Sequence, residues 1–231
     1  LHVQRITSVY IPELSLVKYT LNPGEEVKIT AKVFNLEDVL SEKNFLKITV
    51  RKGTTVVKTF DESLDSIGAK SSVSVVKSFS LDKYAAPGSY AVEAELRDVS
   101  NQLKYSKSIN FQVNTITQPS TEYTKKSSNY NVLFSSVIIK VKNEGNVILP
   151  AFTMTESVPK FAQSLFDPDI EPSTADSSGS RVVYTWPVPE LAPEEQYTIS
   201  YSIAIWRIWL TFGLVGGIGY GAYKWLSKPR I

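Results

Sequence analysis

Apolar and polar residues alternate one by one through the first half of this chain, and that rhythm restricts it to half-buried strands. Val27, Ile29, Ala31 and Val33 interleave with Lys28, Thr30 and Lys32; Leu46, Ile48 and Val50 with Lys47, Thr49 and Arg51. Tyr90, Val92, Ala94 and Leu96 alternate with Ala91, Glu93 and Glu95, and Ile109, Phe111 and Val113 with Asn110 and Gln112. A two-residue period puts one face of each segment in a core and the other in solvent. Turn chemistry separates the segments. Asn22-Pro23-Gly24 precedes the second strand, Lys52-Gly53 makes a tight hairpin, and Pro87-Gly88 suits a type II turn, proline presetting φ and glycine supplying φ > 0.

Residues 3–10 and 71–80 bring the count to about seven strands in about 115 residues, which predicts an immunoglobulin-like β-sandwich over residues 1–115. Residues 36–44 hold a turn of helix at most. The polar, Ser- and Thr-rich residues 116–128 read as a linker whose middle is able to start an edge strand. Residues 129–205 predict a second sandwich. A strand over 130–142 carries Val132, Phe134, Val137, Ile139 and Val141, and Asn143-Glu144-Gly145-Asn146 signals a hairpin returning over 147–156. Residues 158–180 read as a long irregular loop, and 181–186 and 197–205 as further strands.

The last of these runs without a linker into WRIWLTFGLVGGIGYGAYKWL, Trp206–Leu226, which is free of charge from Ile208 to Tyr223. As a helix it would span about 30 Å, the thickness of a bilayer core. Trp206 and Trp209 at one end, and Tyr220, Tyr223 and Trp225 at the other, suit the headgroup level. Arg207 precedes the apolar run; Lys224, Lys228 and Arg230 follow it. The basic flank predicts a C-terminus in the cytoplasm and an extracytoplasmic body. Five glycines within residues 213–221 disfavour a helix in water but are tolerated in lipid. Gly213, Gly217 and Gly221 lie four apart on one face, with Gly216 and Gly219 beside them, and predict close packing against another membrane helix, from a second copy or a larger subunit.

Composition removes several functions. The net charge of +2 comes with no basic stripe, so no nucleic-acid surface is predicted. With no cysteine there are no disulfides or thiolate metal sites, and the one histidine, His2, leaves no Ser-His or Cys-His arrangement and no common zinc set. No cofactor and no enzymatic activity are expected. The sequence opens on leucine, and a leader ahead of it is the expectation that fits the basic tail. Asn-x-Ser/Thr acceptors are missing, so N-glycosylation is not expected.

Short motifs carry a resemblance. Val-Lys-Asn-Glu-Gly-Asn at 141–146, Thr-Glu-Ser-Val-Pro at 155–159, Tyr-Thr-Trp at 184–186 and Glu-Leu-Ala-Pro-Glu-Glu-Gln-Tyr-Thr-Ile-Ser-Tyr at 190–201 resemble the Ig-like repeats of archaeal and bacterial cell-surface proteins. Asn22-Pro23-Gly24-Glu25-Glu26-Val27 and Ala86-Pro87-Gly88-Ser89-Tyr90 are similar to turns of the CARDB-like adhesion modules of the same proteins. These motifs mark turns and cores, and the family offers no catalytic residue to carry over. The resemblance implies an envelope protein, archaeal in style, projecting from the cytoplasmic membrane.

Two acidic groups were weighed as chemistry. Asp167, Asp169, Glu171 and Asp176 share a loop, but without a calcium-loop consensus they read as solvated loop residues. Asp61, Glu62 and Asp65 read as a polar surface turn rather than an acid/base pair. The expectation is therefore an all-β chain: a sandwich over 1–115, a linker over 116–128, a second sandwich over 129–205, a transmembrane helix over 206–226 and a basic cytoplasmic tail over 227–231. Its expected role is anchoring or protein–protein contact in the cell envelope, with membrane lipid, a membrane helix and surface-layer proteins as partners. Alternatives are an accessory subunit of a membrane complex and a polysaccharide- or peptide-binding module.

Overall fold

A proline resets the two-residue rhythm in the first strand. β1 (Val9–Leu16) buries Val9 and Ile11, then Leu14 and Leu16, so the period slips by one residue at Pro12. Pairing with the neighbouring strand shifts there, between Tyr10 and Glu13, because proline has no N–H to give a ladder. Of the expected strand over 3–10, residues 3–7 lie outside the described residues, and β1 takes up its end at Val9 and runs on to Leu16. The computed structural model describes residues 8–117, 124–131, 133 and 135–227; His2, Val132, Phe134, Lys228 and Arg230 lie outside the described residues.

The chain divides into two units, Leu1–Thr117 and Gln118–Ile231. The first continues with β2 (Thr20–Leu21), β3 (Glu26–Asn35), β4 (Asn44–Lys52), β5 (Thr55–Leu64), β6 (Ser72–Ser80), β7 (Gly88–Arg97) and β8 (Leu103–Val113). They form two sheets, β1-β3-β6 and β2-β8-β7-β4-β5. The alternating residues read from sequence meet between them: Val27, Ile29, Ala31 and Val33 pack in one core with Ile48, Val50, Val92 and Phe111. Tyr90 keeps its hydroxyl satisfied at the edge of that core by donating to Ala86 O at 2.8 Å, while its ring stacks on Phe111.

The second unit holds β9 (Thr124–Tyr130), β10 (Ser135–Lys142), β11 (Phe152–Pro159), a 3-10 helix (Lys160–Leu165), β12 (Phe166–Pro168), β13 (Thr174–Ser178), β14 (Arg181–Val188), β15 (Gln196–Ile203) and α1 (Trp206–Leu226). Its sheets are β12-β15-β10-β9 and β11-β14-β13. Three expectations change here. The strand over 130–142 is two strands, and β9 starts at Thr124, inside the stretch read as linker. Residues 143–146 do not turn a hairpin: the chain crosses to the other sheet, where β11 pairs with β14. The long loop contains β12, β13 and the 3-10 helix.

Asn143 explains the crossing. It is 2% exposed; its Nδ2 donates to Val147 O at 2.7 Å and to Leu191 O at 2.9 Å, and its Oδ1 accepts from Gly145 N–H. The side chain holds the bend that a hairpin turn would otherwise make. Asn35 does the same in the first unit, donating to Val39 O and Ile67 O and accepting from Glu37 N–H. The correspondence extends further. Asn35 N–H donates to Ser71 O and Asn143 N–H to Glu195 O; Ser71 N–H closes on Gly68 O and Glu195 N–H on Ala192 O. The residues between, Lys70 and Glu194, both have positive φ, 50° and 72°. β3 therefore corresponds to β10 and β6 to β15, with Val73 and Tyr197 opposite Val33 and Val141.

α1 forms over the residues expected, but the expected crossing is corrected: among the described residues no helix is long and apolar enough to cross a membrane. The glycines, the ring-bearing residues with polar edges, and the flanking Arg207 and Lys224 lower its apolarity.

Candidate functional site

The base of α1 is tied to its own unit. Ala204 N–H donates to Leu165 O at 2.8 Å and Trp206 N–H to Leu133 O at 2.6 Å, which satisfies a donor that no side-chain cap covers. Arg207 donates to Ser164 O at 3.3 Å and lies over the Trp206 ring. Beyond this first turn the described side chains of the helix are exposed. Leu210, Phe212, Leu214, Val215 and Ile218 are 52–72% exposed, and at 3.6 residues per turn they spread over more than half of the helix circumference. A methyl group placed on Gly213, Gly216, Gly217 or Gly219 would find no atom within 4 Å. Trp206 and Trp209 stand at one end of the helix, Tyr223, Lys224 and Trp225 at the other; Gly221 continues the four-residue spacing of Gly213 and Gly217. Lys224 lies in the last turn, where a cation suits the helix dipole.

The acidic residues disperse. Glu62 pairs with Lys77 at 2.5 Å and Asp65 with Lys43 at 3.9 Å. Asp169 accepts a hydrogen bond from Ser200 Oγ, and its N–H donates to Ser200 O at 3.0 Å, which extends β12 along the edge of β15. Among the described residues no three His, Cys, Asp or Glu gather as a metal site.

Aromatic rings fill the second core instead. Trp186 is wholly buried and donates Nε1–H to Ile170 O at 2.8 Å; Phe166 stacks on Tyr184 at 4.0 Å and leans on Tyr201 at 4.9 Å. Burial pushes the Tyr201 phenol well above its ordinary value, and the charge of Glu156, which also hydrogen-bonds with it, adds to that. Glu156 in turn pairs with Lys126. Burial raises Tyr184 too.

A feature absent from the sequence reading lies in the first unit. Between the outer edges of β5 and β6 runs a groove of about 360 Å³ lined by Glu62, Leu64, Asp65, Val73, Val75 and Lys77. Val73 and Val76 are 41% and 50% exposed on it or beside it.

Neither a protein-family model nor a curated protein matches the sequence. Solved structures similar to it include the CARDB domain of a Pyrococcus furiosus protein in complex with di-metal ions: 14% identity, TM-score 0.34, covering 46% of this chain and 90% of that domain. A solution NMR structure of that domain agrees, at 15% identity and TM-score 0.34 over 46% of this chain and 92% of the domain. The alkylpurine DNA glycosylase AlkC of Pseudomonas fluorescens, bound to DNA containing an abasic site analog, is similar at 15% identity and TM-score 0.36 over 47% of this chain. The match spans 31% of the glycosylase.

Proposed function

We infer that the chain is a non-catalytic protein of the cell envelope that presents immunoglobulin-like modules for contact with other proteins and is attached at a membrane through α1. The observation that supports this reading is α1 itself: past its first turn, apolar side chains stand uncovered over more than half of the helix circumference, and bare glycines take up much of the rest. An uncovered helix with so wide an apolar face needs apolar surroundings. In this reading α1 holds residues 1–205 at a membrane surface without crossing the bilayer by itself.

A second version follows from the modest apolarity of α1, too low for a crossing of its own. A larger membrane subunit would supply the missing contact by laying a helix on the bare positions 213 and 217, so the chain would serve as its accessory subunit. Alkaline-carbonate extraction followed by mass spectrometry of crosslinked neighbours tests both. Recovery with membranes beside a surface-layer protein supports the envelope module; recovery beside a polytopic protein supports the accessory subunit. Release as a soluble, uncrosslinked monomer overturns the attachment role of α1.

A further inference from the structure

The two units treat one sheet edge differently. In the second, β15 is flanked on both sides: β10 pairs along one edge and β12 along the other, with Phe166 opposite Ile203, Asp167 opposite Ser202 and Pro168 opposite Tyr201. In the first, the corresponding strand β6 pairs with β3 alone, and no described strand lies on its far edge. The correspondence sets Val76, Ser78 and Phe79 where Ser200, Ser202 and Ile203 stand.

The backbone of β6 is oriented for a further strand. Asn35 N–H donates to Ser71 O, so residues 71, 73, 75, 77 and 79 aim their hydrogen-bonding groups at β3. Ser74, Val76 and Ser78 then aim theirs at the open edge, as Ser200 does when its carbonyl accepts from Asp169. Side chains specify the rest. On the inward side an arriving residue would cover the groove beside Val73 and Val75, much as Phe166 covers the second core. On the outward side, β3 places Lys28 opposite Ser78 and Lys32 opposite Ser74, beside the edge. Lys77 points inward on the edge strand, which is a common guard against promiscuous pairing; here Glu62 holds it at 2.5 Å. A strand arriving with acidic residues outward meets Lys28 and Lys32 favourably, while a basic one meets like charge.

We propose that the open edge of β6 is a strand-acceptor site that takes an extended segment of another protein, running antiparallel to β6 with apolar side chains inward and acidic ones outward. It is the trans counterpart of the Phe166-Asp167-Pro168-Asp169 run that closes the second unit. Strand addition of this kind draws affinity from main-chain hydrogen bonds and specificity from alternate side chains. The site rests on the contact-protein reading but is independent of α1 and of membrane attachment.

The test uses the full chain in detergent and a fluorescently labelled peptide with the sequence of residues 164–171, Ser-Leu-Phe-Asp-Pro-Asp-Ile-Glu. Saturable anisotropy is expected. Replacing both peptide aspartates by lysine should weaken binding about tenfold. Val76→Pro removes an outward N–H and should abolish binding; as an edge-strand proline it should leave the melting temperature nearly unchanged. If that variant unfolds, the double variant Lys28→Glu/Lys32→Glu decides, since it should reverse the preference between acidic and lysine peptides. Failure of the peptide to bind, equal binding by Val76→Pro in its folded form, or a dimer that Val76→Pro dissolves would overturn the proposal, the last by making a second copy the occupant. Membrane fractionation of the same variants should be unchanged, which separates failure here from failure of the attachment role.

Discussion

Asn143 holds three backbone groups at once; its removal takes away the side-chain partner of Val147 O and of Gly145 N–H, while Leu191 O keeps its bond from Leu149 N–H. At about 1–3 kcal/mol for each unsatisfied buried group, Asn143→Ala should cost about 2 kcal/mol in total after partial relaxation. Urea unfolding measures it; a cost under about 1 kcal/mol would mean that the bend stands without the side chain. Glu194 is the opposite case, an exposed residue at φ 72° in an Ala192-Pro193-Glu194-Glu195 turn. The left-handed conformation costs a non-glycine residue about 1–2 kcal/mol, and glycine gives back about 0.5–1 kcal/mol in unfolded-state entropy. Glu194→Gly should therefore stabilise slightly, raising the melting temperature where an ordinary surface substitution would not. Tyr201 makes the fold sensitive to alkali. Its folded pKa is raised, so its contribution is complete below the unfolded value of about 10 and declines as pH climbs from there towards the folded value. Melting temperatures taken from pH 8 to pH 11.5 should fall at the alkaline end, and less steeply in Tyr201→Phe. The asparagine device was legible in part: Val-x-Asn-x-x-x-Val occurs at residues 33–39 and again at 141–147. Read as a hairpin turn, it concealed the relation between the two units, because turn propensity says nothing about where a buried side chain donates.

At the scale of elements, strands with an apolar face declared themselves and strands without one did not. β3, β4 and β7 alternate cleanly and fall where the rhythm put them. Residues 126–130 of β9 and all of β13 are exposed, and their residues give a period-two search nothing to find. β12 is three residues long, and its signal is a single ring. Phe166 is the residue through which that short strand closes the sheet, stacked on Tyr184 and tilted against Tyr201. Phe166→Ala should cost about 3 kcal/mol, the low end for a phenylalanine that is only partly buried, and hydrogen exchange at Asp169 N–H should accelerate with it. Unchanged protection there would mean that β12 is held by its backbone bonds alone. α1 was legible in its limits and its glycine spacing, whereas its apolarity was overestimated by counting uncharged residues without weighing glycine and tyrosine.

The two units share one sandwich device, and α1 stands exposed beyond its first turn on the second. Among the described residues, Glu62 and Asp65 pair with lysines and Asp169 extends a strand edge. The proposed function lies in contacts made by α1 and by the sandwich edges. The most direct measurement is photo-crosslinking from a benzoylphenylalanine placed at Val215, in cells carrying the full chain, with and without Gly217→Ile. A branched side chain at residue 217 fills bare space without adding charge, so the helix should stay with the membrane fraction and lose its partner. The account predicts one dominant protein adduct in the parent, its loss in Gly217→Ile, and sedimentation with membranes in both. A chain found in the soluble fraction without adducts, or an adduct pattern indifferent to Gly217→Ile, would contradict it.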